Sequence, residues 1–314
     1  MQFAEFAREA GLLVDYVSSD GKWHRVATSD HPRRKNGSYK LADSGLIGWV
    51  QNFGTMAGPI TWRRDKADAP VRIDRAVIAR RQAQARRDLV KATQAVREFY
   101  IRCEPLRGGH PYLESHQLTM AGCYGLKIDG DGWLVVPVLL DGNVMSVQRI
   151  SPAGEKKFWH GASVKGGSYL IERRGAQVTV LCEGLATGLA IFAAVPLTRI
   201  LVAFNSGNLS KVHIPRRGLV VVAADNDHAT AERIGHNPGL NAAQDAAQAI
   251  GCGIAAPSGI VGTDWADYRV ERLSQLMAER PRSQEGDLRR AVDSEIAAAM
   301  MKNAIYLCGP SNLC

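Results

Sequence analysis

Three carboxylates stand out by type and spacing: Glu183, Asp225 and Asp227. Glu183 follows the apolar run QVTVLC, and the pair Asp225-x-Asp227 follows GLVVVAA. Side chains alternate along an extended segment, so one intervening residue sets both aspartates on the same side. Carboxylates held close together repel unless a cation neutralises them. Mg²⁺ takes a few carboxylates and completes its shell with water and phosphate oxygens. The chemistry such a set supports is metal-assisted phosphoryl transfer. A second acidic segment, Gly262-Thr263-Asp264-Trp265-Ala266-Asp267, adds two candidates. Asp264 reads either as part of the acidic rim or as a helix N-cap. Asp267 reads either as a further metal ligand or as part of the same helix start.

Elements of two periods must position these groups. Over residues 176–272 short apolar runs (QVTVLC, RILVAF, LVVVAA, CGIAAP) alternate with helical stretches (LATGLAIFAAV, GLNAAQDAAQAI). Strands alternating with helices predict a parallel α/β sheet with both faces covered. Ligands of open parallel sheets gather beyond the carboxyl ends of the strands, where all the acidic candidates fall. Residues 99–175 predict a mixed α+β subdomain with a hairpin, WLVVPVLL and VMSVQRI, turning at Asp141-Gly142. Residues 273–314 begin helically and end in AIYLCGPSNLC, which reads as a mobile tail.

The N-terminal third differs in charge. Residues 1–100 hold 18 Lys/Arg against 11 Asp/Glu, within a chain of formal charge +8. That asymmetry suggests a polyanion-binding module beside a catalytic one. Residues 1–64 predict a short amphipathic helix and a small β-rich domain, with Asp20-Gly21 and Asn36-Gly37 as hairpin signals. Trp23, Tyr39, Trp49, Phe53 and Trp62 form its core or a stacking surface. Residues 65–98 predict a connector helix carrying Arg80, Arg81, Arg86 and Arg87, either a solvated face or a phosphate-tracking stripe.

LCEGLATGLAIFAAV, VVVAADND with GLNAAQDAAQAI, and GTDWADY together resemble the Toprim domain, and within it the primases of phages and conjugative plasmids. The likeness covers about residues 100–270. It implies Glu183 as a general acid/base or metal-linked group, and Asp225 and Asp227 as ligands of Mg²⁺ or Mn²⁺, with Asp267 on the same rim. Gly154-Glu155-Lys156-Lys157-Phe158 resembles the basic subdomain of those primases. It implies that Lys156 or Lys157, with Lys165 nearby, holds the template or a nucleotide phosphate. The alternative is exposed lysines at a turn. His110-Pro111-Tyr112-Leu113 also resembles a segment of that family, with His110 reading as structural and His116 standing where a lysine is common.

The N-terminal piece resembles the leading domain of some phage primases, which holds zinc through cysteines. No cysteine precedes Cys103, so zinc is not expected, His24 and His31 notwithstanding. Arg33, Arg34 and Lys35 with the aromatics remain candidates for single-stranded template. The resemblance implies a DNA primase, a nucleotidyltransferase of DNA replication that uses nucleoside triphosphates and works beside a separate helicase. The alternatives are a Toprim nuclease and a non-catalytic nucleic-acid-binding protein. No GxxxxGK[ST] is present, no run of about 18 apolar residues predicts a membrane helix, and the first residues do not read as a signal peptide, so the expected place of work is the bacterial host's cytoplasm. Six scattered cysteines without a CxxC pair read as reduced, packed thiols.

Overall fold

Glycine 48 decides how the N-terminal helix seats. In the computed structural model, α1 (Phe3–Glu9) lays Phe3 and Ala7 on a four-stranded antiparallel sheet. Its strands run in the order β1 (His24–Val26), β2 (Gly37–Leu41), β3 (Ile47–Asn52) and β4 (Ile60–Arg63). A Cβ at Gly48 would stand 2.3 Å from the Phe3 ring, so only glycine lets that ring reach Tyr39 and Trp62. Tyr39 and Trp62 are buried, whereas Trp23 and Phe53 are exposed, so the aromatics divide between core and surface.

The structure describes residues 2–56, 58–65, 75–215 and 218–307. The chain forms two units, Met1–Arg86 with Ala229–His236, and Arg87–His228 with Asn237–Cys314. One turn expectation is corrected. Asn36-Gly37 is no hairpin tip, because Gly37 opens β2, paired with Val26 and Asn52. Glycine is needed there for space: a Cβ would lie 2.7 Å from Thr28 Cγ2. Asp20-Gly21 does turn, with Gly21 at φ +67°, but it leads into β1 rather than joining two strands.

The connector is α2 (Arg75–Arg102), four residues longer at its end than expected; the stretch 66–74 lies outside the described residues. Its Val96 packs with Val135 and Val147 against a five-stranded antiparallel sheet. That sheet runs β5 (Glu104–Pro105), β6 (Lys127–Ile128), β7 (Leu134–Leu140), β8 (Asn143–Ile150) and β9 (Lys156–Phe158), with the short helix α3 (Pro111–Ser115) between β5 and β6 in sequence. The β7–β8 turn is as expected, Asp141 and Gly142 both having positive φ.

The remaining sheet has the expected α/β character. β11 (Val178–Cys182), buried at every residue, is central. It runs parallel to β12 (Thr198–Val202) and β13 (Gly218–Ala223), and β13 runs parallel to β14 (Gly253–Ala255). β10 (Tyr169–Glu172) adds an antiparallel edge on β12. Alternate residues feed two cores, as a pleated strand requires. Val180, Cys182 and Val221 face α4 (Leu185–Ala194), α8 (Trp265–Glu279) and α9 (Glu285–Asn303). Leu181, Val220 and Val222 face α5 (Ser206–Leu209) and α7 (Pro238–Ile250). α6 (His228–Ile234) lies between β13 and α7 in sequence.

The expected tail is partly ordered. Ile305–Leu307 forms β15, antiparallel to the first half of β13, while β14 pairs its second half. Residues 308–314, with Cys308 and Cys314, lie outside the described residues. The other four cysteines are free and buried, as expected. Among the described residues no helix is long and apolar enough to cross a membrane.

Candidate active site

The register of β11 on β13 aligns Cys182 with Ala223, so Glu183 and Asp225 leave neighbouring strand ends. Hydrogen bonds continue past the strands and fix both exits. Phe204 N–H donates to Glu183 O at 2.9 Å, Ala224 N–H to Ala255 O at 2.8 Å, and Asn226 N–H to Thr263 O at 2.7 Å. The acidic segments therefore converge at the carboxyl edge of the sheet.

Asp225 is the most strained charge there. Its Oδ1 is out of solvent and has no hydrogen-bond partner among the described residues. Burial, then the charges of Asp264, Glu183 and Asp227, push its carboxyl up to about 8, while Lys156 pulls the other way. Glu183 is raised too, by burial first and Asp227 second. A hydrogen bond from the Ser206 backbone and the Lys156 charge oppose that rise. Among the described residues no three His, Cys, Asp or Glu side chains stand close enough to hold a metal ion by themselves. The donor set is nonetheless all oxygen, with a buried carboxylate oxygen that nothing satisfies. That suits a hard, largely hydrated cation, which needs only one or two carboxylates.

Asp227 is held by a network the sequence reading did not identify. Its Oδ2 accepts from Gly239 N–H at 3.0 Å, and its N–H donates to Asn237 Oδ1 at 3.2 Å. Asn237 also caps α7, accepting from Leu240 N–H at 3.0 Å, and its Nδ2 donates to Asn226 Oδ1 at 2.9 Å. Asn226 Nδ2 donates in turn to Pro257 O at 2.9 Å. The signal lay in Asn237-Pro238, an N-cap followed by proline at the first helical position. Gly239 is required by crowding, since a Cβ would come 2.4 Å from Asp225 O. We expect Gly239→Ala to lower stability by about 1–3 kcal/mol, because α7 or the Asp-Asn-Asp segment must shift. Thermal denaturation of wild type and variant without divalent cation checks this, and an unchanged melting temperature would refute the crowding.

The Asp264–Asp267 segment opens α8. Asp264 is the N-cap of α8: its Oδ1 accepts from Ala266 N–H at 2.7 Å and Asp267 N–H at 2.9 Å. Its Oδ2 accepts from Thr187 Oγ1–H at 3.0 Å. Asp267 also takes part in the helix start. Its Oδ2 completes a capping box by accepting from Asp264 N–H at 3.4 Å, and it also accepts from Thr263 N–H at 2.9 Å. The charge of this segment that bears on Asp225 is that of Asp264.

β9 separates the two lysines of GEKKF. Neighbouring residues of a strand face opposite ways. Lys156 Nζ stands 5.6 Å from the Tyr112 ring centroid, on the side of the acidic residues, and Phe158 on that side meets Phe204. Lys157 faces away, 5.0 Å over Trp133 and paired to Glu155 at 2.9 Å. Lys165 is exposed in a turn whose Gly166 N–H donates to Asn208 Oδ1 at 2.7 Å. His110 is structural as expected, a buried N-cap of α3 accepting from Tyr112 N–H. Its Nε2 lies 3.1 Å from Gly132 O. His116 Nδ1 lies 2.8 Å from Tyr112 O.

Arg33, Arg34 and Lys35 are exposed in the loop between β1 and β2. The four arginines of α2 do not form one stripe. At 3.6 residues per turn Arg80 and Arg87 share a face that Arg81 and Arg86 leave. Arg81 is paired to Asp43 at 3.0 Å. His24 stacks on Tyr39 and pairs with Asp20, and His31 pairs with Asp30.

The segment carrying this rim matches a known domain family. Residues 178–275 match the model of the Toprim domain, in line with the resemblance read from the sequence. Among curated proteins the chain is similar to a DNA primase TraC of Escherichia coli, 26% identical over 274 residues, which is 80% of this chain and 25% of that protein. A second E. coli DNA primase TraC is 26% identical over 277 residues, 80% of this chain and 19% of the relative. The chain thus spans a quarter or less of the length of these relatives. Among solved structures it is similar to the primase fragment of the bacteriophage T7 primase-helicase protein, with 15% identity, a TM-score of 0.36, and coverage of 54% of this chain and 72% of that one. It is also similar to the RNA polymerase domain of Mycobacterium tuberculosis primase DnaG, with 17% identity, a TM-score of 0.29, and coverage of 68% and 78%.

Proposed function

We propose that this chain is a DNA primase, a nucleotidyltransferase that joins nucleoside triphosphates on a single-stranded DNA template. The observation that carries the reading is the unpartnered, buried Asp225 Oδ1 among Glu183, Asp227 and Asp264, with Lys156 opposite. A dead site gains nothing from such a repulsive cluster, whereas a cation-binding one needs it. The Toprim match and the two similar primases support the same class.

In this reading Asp225 and Asp227 hold Mg²⁺ or Mn²⁺. Bound there, the cation supplies Lewis-acid polarisation of a phosphate and a more acidic attacking hydroxyl. Glu183, its pKa raised, accepts a proton near neutral pH more readily than an ordinary carboxylate. Lys156 sets a cation beside the incoming triphosphate and offsets its charge. Asn237 and Gly239 keep Asp227 in place, and Asp264 starts α8 while adding its charge to the rim. Unwinding of the template falls to a motor outside these 314 residues, such as a separate helicase, in the cytoplasm of a bacterial host.

The test is oligonucleotide synthesis from labelled nucleotides on random single-stranded DNA with Mg²⁺ or Mn²⁺. Wild type should make short products, and the double variant Asp225→Ala, Asp227→Ala should make none above background. Wild type without product on any template sinks the reading, and degradation of the template instead would favour a Toprim nuclease.

A further inference from the structure

One face of the β7–β8 hairpin is built into the core of the α/β sheet. Leu134, Val136, Val138 and Ile150 lie on it, in one cluster with Val180 and Ile200. Two polar residues interrupt that face, Ser146 opposite Val138 and Gln148 opposite Val136. Both are buried, Gln148 to 5% exposure. Ser146 Oγ is out of solvent without a partner, and the Gln148 amide makes no hydrogen bond among the described residues. An apolar side chain at either place would leave no donor or acceptor unmet, and unmet groups cost free energy in a protein interior. The row of Gln148 continues to the acidic rim. On β9 Gln148 is opposite Phe158, and Lys156 is the next residue of that strand on the same face. Such diagonal neighbours lie about 7–8 Å apart. Phe158 is exposed and meets Phe204, whose N–H donates to Glu183 O at 2.9 Å.

We infer that Gln148 binds the ribose 2′-hydroxyl of the incoming nucleotide and thereby selects ribonucleotides over deoxyribonucleotides. The inference rests on the proposed function, in which Lys156 meets the triphosphate. Chemistry selects the group that is read. An amide both donates and accepts, and so does a 2′-hydroxyl. A phosphate only accepts, so it would leave the amide oxygen unmet and repelled. A base edge differs from one nucleotide to the next, and an enzyme that copies a template must admit all four at one place. The sugar is common to them, and it joins the phosphates to the base. With Lys156 on the phosphates, Gln148 stands one diagonal step away for the sugar, and the Phe158 ring is placed for the base to stack on.

The experiment is calorimetric titration of the full chain with ATP and with dATP, in Mg²⁺ and without template. Binding is then read whether or not the chain makes primers. Wild type should bind ATP about tenfold or more tighter than dATP, as expected when one hydrogen bond is lost and its partner stays unpaired. Gln148→Leu should abolish that preference. It should also melt no lower than wild type, because the amide it removes has no partner within the protein. The inference is overturned if Gln148→Leu still prefers ATP, or if wild type binds the two nucleotides equally or binds neither. It is equally overturned if Gln148→Leu melts well below wild type, which would make the amide a structural group. A chain that prefers ATP through Gln148 yet makes no primer keeps this inference and loses the proposed reaction. Primer synthesis with the preference unchanged in Gln148→Leu does the reverse.

Discussion

Asp225→Asn should give a protein that melts higher than wild type and makes almost no product. The wild-type carboxyl has a buried oxygen without a partner and sits amid the charges of Glu183, Asp227 and Asp264. An amide of nearly the same shape removes one member of that repulsion. The sign follows from the titration. A carboxyl whose folded pKa lies near 8, above its usual 3.8, costs stability increasingly as pH rises between those values. Each unit corresponds to about 1.4 kcal/mol, so relief above pH 8 amounts to a few kcal/mol, or roughly 4–10 °C. The gain should shrink as pH falls and be gone well below 3.8, where the wild-type group is protonated in both states. Divalent cation should raise the melting temperature of wild type and do little for the variant. Synthesis should fall at least about a hundredfold, since one oxygen ligand of the reacting centre is lost. Calorimetry across pH with a parallel synthesis assay decides it. A variant less stable than wild type at pH 8 without cation would mean that Asp225 is satisfied in a way its geometry does not reveal.

The second large effect separates two adjacent lysines. Lys156→Ala should reduce synthesis about 10²–10³-fold, the usual loss for one preorganised electrostatic group. Lys157→Ala should leave it within about threefold, because its ammonium faces Trp133 and Glu155 on the other side of β9. Lys156→Arg should retain part of the activity by keeping the charge. Equal losses for the two alanine variants would place the phosphate elsewhere, for instance along the backbone edge of β9.

Much of the architecture was legible because period carries it. The runs around Val180, Ile200, Val221 and Ile254 are predominantly apolar rather than alternating, as strands buried on both faces read. Glu183, Asp225 and Asp227 were legible because residue type and strand end coincide. The lysine pair was not resolved, since two neighbours in GEKKF look alike until a strand assigns each a face. Asp264 and Asp267 were ambiguous because a capping box and a metal rim use the same carboxylates at the same spacing. Gly37 misled because Asn-Gly signals a positive φ, whereas here the missing side chain makes room for Thr28. β15 was missed because three residues are too few to show a period and because its partner, the first half of β13, is 85 to 89 residues away in sequence.

That short strand has a consequence for the company the molecule keeps. A long exposed strand edge offers a row of unpaired amides and carbonyls to any passing chain and so invites aggregation. Among the described residues β13 is finished by two three-residue pieces, one running each way, end to end. Neither piece is long enough to template a foreign strand, and their opposed directions deny a newcomer any single continuous register. At the far side the sheet ends in the four residues of β10. The hydrophobic centre of this unit is thereby bordered by fragments, which favours a molecule that stays dispersed even when its concentration rises.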